Sequence, residues 1–402
     1  MRKINLNSFQ VASSETVRDI NSRIMLNLVR KHQPVSRADL TRYSGLQRST
    51  VSAITEKLIA DRWLKEGAVG NLPRGRKPTF LHLNSERAGI VGVDVQSAVT
   101  TLAVADMSSR FLAQESIQTP QNPNDFVARL SSRILDLMRA HPKSSYEGVG
   151  ISLPGRVDSA SQRLIFAPSL GWTDFDLKTP LESALEVPVE LENAANSCAL
   201  AELWSGRHEG AGNLVAVTVS DGIGVGMVMN GQLVRGSSGV AGEFGHVTQS
   251  QDGPECRCGN IGCWEVFASN AAAVRYYAES SSVRKGEIGS KSNMASVPFG
   301  DILRLVDQGD VKATLALNKM AKHLGDGLAM LITGLAPDVL VIVGDVTRAW
   351  ERVGPIVSES IKRRSLTNAV TRIIPTDPEA QPRLRGTVAM VLQKHFGAPV
   401  IA

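Results

Sequence analysis

Cysteine is scarce in this chain, with four residues in 402. A secreted domain held together by disulfides uses cysteine much more densely, so that class is set aside. Nowhere do 18 apolar residues run together, so no segment reads as a membrane span. Residues 1–17 carry no apolar stretch of the signal-peptide kind, and the expected location is the cytoplasm. Internal repeats and heptads are also missing. What remains is a 43 % hydrophobic chain. That is enough for a sizeable core, at a length that implies two or three domains.

Three of the four cysteines fall in one short stretch. Residues 242–265 read GEFGHVTQSQDGPECRCGNIGCWE. His246, Cys256, Cys258 and Cys263 together make one imidazole and three thiolates, a complete tetrahedral zinc shell with no position left for a catalytic water. Glycines 253, 259 and 262 let the loop fold back so that the four ligands converge. One structural Zn2+ per chain is therefore expected. The competing reading is a loop of scattered thiols, or a disulfide. Glu243 and Glu265 stand just outside the ligand set. The fourth cysteine, Cys198, lies in a helical pattern over residues 194–204 and reads as a small buried hydrophobe.

Charge is unevenly spread. Residues 1–87 hold 16 Lys and Arg against 7 Asp and Glu, a net of +9, whereas the remainder holds 28 against 32. A basic module on a mildly acidic body points to a polyanionic partner for the first part only. Apolar residues at Val17, Ile20, Ile24 and Leu28 have helical spacing, and Pro34 ends that helix. Ser36 to Asp39 resembles a capping box that starts a second helix. Leu40, then Gly45-Leu46, then Val51 and Ile54 give helix, tight turn, helix. That spacing fits a helix-turn-helix, with Gln47, Arg48, Ser49, Thr50 and Ser52 offered to a major groove. Gln47 is a poor N-cap, which predicts a helix start at Ser49. If Arg48 proved silent, the register would shift toward Ser52 and Thr55. The competing reading is an ordinary three-helix bundle.

Residues 63–64 and 79–81 read as two short strands around Pro73-Arg74-Gly75-Arg76-Lys77-Pro78. A basic hairpin tip suits the backbone or a narrow minor groove. Residues 1–84 thus predict a winged helix-turn-helix, with Arg74, Arg76 and Lys77 on the wing. The alternative for the tip is a solvated linker. From residue 89 onward, strands and helices alternate in the manner of an α/β domain. Strands are expected at 89–94, 100–106, 148–153, 214–219, 227–229 and 338–343, a helix at 324–335, and a polar surface loop at 280–298.

With these motifs in hand, the chain resembles the ROK family of repressors and sugar kinases. The resemblance rests on G-E-x-G-H at Gly242–His246 and C-x-C-G-x-x-G-C-x-E at Cys256–Glu265. It implies an actin-like sugar-kinase fold of two α/β lobes around a sugar cleft. The lobes are expected at 85–192 and 193–382, with the zinc loop at 246–263 and a C-terminal helix (383–402) returning to the first lobe. By the same resemblance, Asn193, Glu243, His246 and Glu265 bind the sugar, and Gly155 lies in a loop that closes over it. Glu243 and Glu265 have a second reading, as supports of the zinc loop alone.

Departures from the family's kinase pattern are concentrated where ATP would sit. D-x-G-G-T is replaced by Asp94-Val95-Gln96-Ser97-Ala98. The second phosphate loop carries Asp221, the adenosine-side glycine pair becomes Gly344-Asp345, and the Asn-Asp pair with the general base becomes Asn193-Ala194. These residues predict a regulator without enzymatic activity. It would be a repressor that binds double-stranded operator DNA as a dimer or dimer of dimers, controlled by a sugar or phosphosugar. Two other readings remain open: an active sugar kinase with an added DNA module, and a regulator whose effector is a protein.

Overall fold

The computed structural model describes residues 14–69, 78–205, 208, 211–282, 297–364 and 371–397. The chain opens with α1 (Ser14–His32), β1 (Val35–Ser36), α2 (Arg37–Ser44), α3 (Arg48–Ala60), β2 (Leu64–Val69) and β3 (Thr79–Leu83). Ser36 Oγ accepts from Asp39 N–H, and Asp39 returns the bond to Ser36 N–H, so α2 starts on a complete capping box. Gly45 then takes a left-handed φ of 71°, which lets α2 turn sharply into α3. Helix α3 starts at Arg48, one residue before the expected Ser49. Gln47 occupies the cap position with no side-chain hydrogen bond to support it. The three strands pair in the order β1-β3-β2.

Two five-stranded sheets follow. The first contains β4 (Gly89–Val95), β5 (Val99–Asp106), β6 (Phe111–Gln118), β7 (Tyr146–Leu153) and β11 (Val189–Asn193), in the order β11-β7-β4-β5-β6. Helices α4 (Pro123–Ala140) and α5 (Lys178–Leu185) cover one face through Phe126, Leu130, Ile134 and Leu181. A small sheet of β8 (Arg156–Val157), β9 (Leu164–Ala167) and β10 (Trp172–Phe175) extends from its end. After α6 (Ala194–Ser205) comes the second sheet: β12 (Leu214–Val219), β13 (Ile223–Met229), β14 (Gln232–Leu233), β15 (Val339–Val343) and β16 (Arg372–Pro375), in the order β14-β13-β12-β15-β16. Its outer face packs on α7 (Trp264–Ala268), α8 (Asn270–Ser282), α9 (Phe299–Asp307), α10 (Val311–Leu335) and α11 (Trp350–Arg364). The last helix, α12 (Pro382–Phe396), returns to lie on β4 and β7.

Three expectations change here. Strand β13 starts at Ile223, well before the predicted 227, because the glycines in its first half belong to a strand rather than a loop. A Cβ at Gly226 would lie 2.2 Å from Ala195 O, so this strand passes directly against the first turn of α6. Helix α10 starts at Val311, not near 324. Of the predicted loop 280–298, residues up to 282 belong to α8, and 283–296 lie outside the described residues.

Helices α6 and α12 are the shared spine. They approach so closely that a Cβ on Gly386 would sit 1.8 Å from Ser197 O. Cys198 is fully buried here, and burial pushes its thiol up to about 12, so it behaves as an inert apolar group. One hydrophobic cluster joins Met25, Leu26 and Val29 of α1 with Ile90, Val388, Val391 and Phe396 of the body. The N-terminal module therefore shares core with the first lobe and does not hang from a bare tether.

Candidate functional site

The zinc-type loop is the best-defined constellation. Ligand atoms of His246, Cys256, Cys258 and Cys263 lie within 4.8 Å of one another. His246 Nδ1 is 3.5 Å from Cys256 Sγ, and Cys258 Sγ is 3.7 Å from Cys263 Sγ. With Zn–S near 2.3 Å and Zn–N near 2.0 Å, the edges of a tetrahedron come to about 3.7 and 3.5 Å. The donor set thus fits one tetrahedral metal bound through His246 Nδ1. Burial pushes the Cys263 thiol up to about 12, and the two neighbouring thiols push the same way. A metal entering the cluster has to displace that proton.

The loop is tied to the sheet and its covering helix α10 at three points. Trp264 Nε1–H donates to His323 O of α10 at 2.9 Å. A Cβ at Gly242 would meet Val225 O at 2.1 Å, so the 242–246 turn lies along the edge of β13. Glu265 Oε2 accepts from Ile223 N–H at 2.9 Å, and its other oxygen is 3.8 Å from Cys256 Sγ. Glu265 is therefore a strut between the metal loop and the start of β13. Glu243 Oε2 stands 3.7 Å from His246 Nε2, the ring nitrogen turned away from the cysteines. A carboxylate there orients a metal-bound imidazole and also faces outward, half exposed.

Asn193 ends β11 and caps α6, its Oδ1 accepting from Asn196 N–H at 2.7 Å. Because β13 passes against Ala195, Asn193 and the 242–246 turn flank the same strand. Beside Asn193 is the buried Glu192, missed at the level of sequence. Its Oε2 accepts from Arg235 Nε at 2.9 Å and its Oε1 from Asn196 Nδ2 at 2.9 Å. Gly155 has φ 129°, and a Cβ there would meet Phe166 O at 2.2 Å, so only glycine fits that turn. The turn leads into β8, whose Val157 O abuts Gly239. The predicted sugar residues thus surround one strand, β13, and the turns beside it.

The positions expected to have lost phosphate contacts converge independently. Gln96, Ser97, Asp221, Gly344 and Asp345 all line one cleft of about 490 Å³ between the two sheets. Asp94, Asp377 and Arg383 line it too, the last from the first turn of α12. Asp221, Asp345 and Asp377 outnumber the one guanidinium that lines it, a balance that disfavours a polyphosphate. Asp94 is buried, and burial raises its pKa above the ordinary carboxylate range, opposed by Arg383 and by Gln96, whose Nε2 donates to Asp94 Oδ2 at 2.8 Å.

The sequence model of the ROK family matches residues 90–394. This chain belongs to the ROK family. It is 30 % identical over 349 residues to the xylose repressor of Bacillus subtilis, spanning 85 % of this chain and 86 % of that one. The crystal structure of a ROK family transcriptional regulator, described as a homologue of the E. coli MLC protein, superposes with a TM-score of 0.81. It covers 95 % of this chain and 98 % of its own at 24 % identity, and so speaks to the fold. A ROK glucokinase from Streptomyces griseus, solved with glucose and AMPPNP, superposes at 0.67 and 27 % identity, covering 76 % of this chain and all of its own. The two-lobe, sugar-kinase-like fold is thus that of the family.

On the N-terminal module, Gln47, Arg48 and Ser49 are exposed, and Thr50 and Ser52 are partly so. Thr55 is fully buried, its hydroxyl donating to Val51 O and accepting from Arg37 Nε. The alternative register toward Thr55 is therefore closed. Arg74, Arg76 and Lys77 lie outside the described residues.

The junction between module and body was not legible beforehand. Trp63 sits between the Arg87 guanidinium, 3.9 Å from its ring centre, and the His395 ring, 4.6 Å away. Both are held by Glu147, which accepts from His395 Nε2 at 2.7 Å and from Arg87 Nη1. Those bonds, His395 first, hold the Glu147 carboxyl down to about 2. On the other side, Arg30 lies 4.2 Å over Trp204 and donates to its carbonyl.

Proposed function

We propose that this chain is a sugar-responsive transcriptional repressor that does not phosphorylate its ligand. The supporting observation is a pairing. The likeness to ROK regulators runs over nearly the whole chain, N-terminal module included, while Ala194 stands where the kinases carry their general base. Alanine accepts no proton. In this reading the module is a winged helix-turn-helix. Gln47, Arg48, Ser49, Thr50 and Ser52 read the major groove, and Arg74, Arg76 and Lys77 of the wing reach the backbone or minor groove. Zinc is the metal, held by His246, Cys256, Cys258 and Cys263 with no site open for catalysis. Asn193, Glu243, His246 and Glu265 face the sugar, with the Gly155 turn over it. Two copies bind a palindromic operator, because two-fold symmetric sites match two-fold symmetric proteins.

The route from sugar to DNA follows α6 and α12. Helix α12 starts at the cleft, at Arg383, and α6 starts at Asn193 beside β13; each ends against α1, at Phe396 and Trp204. Rotation of one lobe against the other would move both ends of both helices. A sugar that favours one lobe angle then favours one spacing of the modules. The test is fluorescence anisotropy on a selected operator and on random DNA, with and without sugars, at several salt concentrations. Arg48→Ala should cost about 1–3 kcal/mol on the operator and relax one base pair per half-site. Lys77→Ala should weaken all DNA alike and lower the salt slope by about one. Equal affinity for operator and random DNA would sink the reading.

A further inference from the structure

The proposed sugar residues come from two lobes. Asn193 ends β11 in the first sheet, whereas Glu243 and His246 lie on the turn that follows β14 in the second. Glu192 joins the two sets. Its side chain is buried, and its carboxylate accepts three donors: Asn193 N–H at 3.0 Å and Asn196 Nδ2 at 2.9 Å through Oε1, and Arg235 Nε at 2.9 Å through Oε2. The first two come from the corner between β11 and α6, and the third comes from the second lobe. Asn196 in turn donates its N–H to Asn193 Oδ1, which fixes that amide and leaves its Nδ2 with no protein partner among the described residues. Arg235 stands at the base of a loop. Its carbonyl accepts from Ala241 N–H at 3.0 Å, which closes residues 235–241. Gly236, Ser238 and Gly239 take left-handed φ values of 68°, 53° and 72° inside it. Gly242 follows directly and opens the turn that carries Glu243 and His246. The Arg235–Glu192 pair therefore fastens the base of this loop to the corner that carries Asn193.

We propose that Glu192 and Arg235 are positioning residues for the ligand, holding Asn193 of one lobe in register with Glu243 and His246 of the other. The role rests on the sugar reading above, and neither residue needs to touch the sugar. A hydrogen-bonding site works when its groups are held to within about half an ångström of the productive geometry. Hydroxyls on one ring can meet both lobes only at one separation, and the pair sets that separation at its base. Here Gly226 already brings β13 against Ala195 O, and Gly239 brings the loop against Val157 O of β8. An ion pair of this kind is a poor source of stability, because taking the charges from water offsets their attraction. Arg235 also keeps 35 % of its side chain exposed, which weakens the attraction further. Three donors converging on one carboxylate from two lobes are suited to fixing direction and distance.

The test is calorimetric titration of the full-length chain with glucose, glucose 6-phosphate, xylose and N-acetylglucosamine, beside thermal unfolding of each protein. Arg235→Met keeps an aliphatic stem and removes the donor. It leaves the Glu192 carboxylate buried without its cation, so the unfolding midpoint should fall. The double variant Glu192→Gln/Arg235→Met removes that charge as well and should recover most of the midpoint. Affinity should not follow it. The sugar that binds wild type should weaken by roughly tenfold in both variants, the cost of one misaligned hydrogen-bonded group. If affinity returns with the midpoint in the double variant, or falls in neither, the pair only stabilises the loop and the proposal fails. Where Arg235→Met is too unstable to titrate, the double variant decides alone: a tenfold loss supports the proposal and wild-type affinity overturns it. Glu243→Gln separates this failure from failure of the sugar reading. A sugar that binds wild type and Glu243→Gln equally lies elsewhere, and four sugars that all fail to bind wild type remove the sugar site. Either result overturns the sugar reading and the positioning role together.

Discussion

Two regions proposed to serve the ligand, a sugar wall around β13 and a phosphate wall in the cleft, are built to different standards. On the sugar wall the candidate residues are tied down: His246 to Cys256 and Cys258 to Cys263 lie at tetrahedral edge lengths, Glu265 accepts from Ile223 N–H, and Asn193 caps α6. On the phosphate wall Gln96, Ser97 and Asp221 are exposed side chains around an acidic cavity, and Asp94 is buried against its own preference for charge. The difference shows that a two-lobed cleft keeps its shape from strands and close backbone contacts, none of which needs a nucleotide. One wall can lose its chemistry while the other holds the fold.

The largest effect expected from breaking the comparison is at the metal. Structural zinc in small modules contributes on the order of 10 kcal/mol to folding. Cys256→Ala should abolish stoichiometric zinc, lower the unfolding midpoint by several degrees and remove the sugar-induced thermal shift, while α2 and α3 keep their helicity. Elemental analysis of the purified wild type gives the counter-check. Well under one equivalent of zinc, with all thiols freely titratable, would mean that the sugar wall is not metal-built.

Next in size is the strut. Glu265→Ala leaves Ile223 N–H without an acceptor beside the metal loop. The expected loss is about 1–3 kcal/mol in denaturant unfolding, with sugar affinity falling as well. If stability drops and sugar affinity does not, Glu265 supports the loop only, and the sugar contact belongs to Glu243 and His246.

A smaller effect, of opposite sign, is expected on the phosphate wall. Burial raises the Asp94 pKa, so above the ordinary carboxylate range the unfolded chain holds fewer protons than the folded one. Stability contributed by this group is therefore complete in acid and is lost as pH rises through its raised value. Asp94→Asn should match wild type in acid and become the more stable of the two toward neutral pH. Paired unfolding curves from pH 4 to 8 check this. A variant less stable than wild type throughout would mean that Arg383 and Gln96 hold Asp94 as a useful anion.

What was legible in the sequence was local. The His246–Cys263 cluster lies within eighteen residues, the capping box within four, and the altered loops at Asp94–Ala98 and Ser220–Gly226 are contiguous segments. The sheets were legible where apolar runs were continuous, but β13 was half hidden because Gly224 and Gly226 give up side chains to let α6 approach. The start of α10 was hidden because Val311 and Leu315 are exposed there and spoil the apolar stripe. The junction was invisible. Trp63, Arg87, Glu147 and His395 come from four distant segments, and no spacing links them. Nor did any spacing announce Arg383 in the cleft.

The smallest effect expected is none at all, and it tests the comparison most directly. Ala194→Asp restores a carboxylate beside Asn193, at the position of the kinase base. A general base contributes roughly 10²- to 10⁴-fold to such a transfer, but only once a phosphoryl donor is held in line. Here Gln96 and Ser97 replace two glycines, and Asp221 and Asp345 set negative charge where phosphates would lie. The variant should release no more ADP in a sugar-dependent coupled assay than wild type, which itself should run at background. Activity in the variant alone would show that the phosphate wall still seats ATP and that a single missing base separates this chain from a kinase. Activity in wild type would overturn the non-enzyme reading outright.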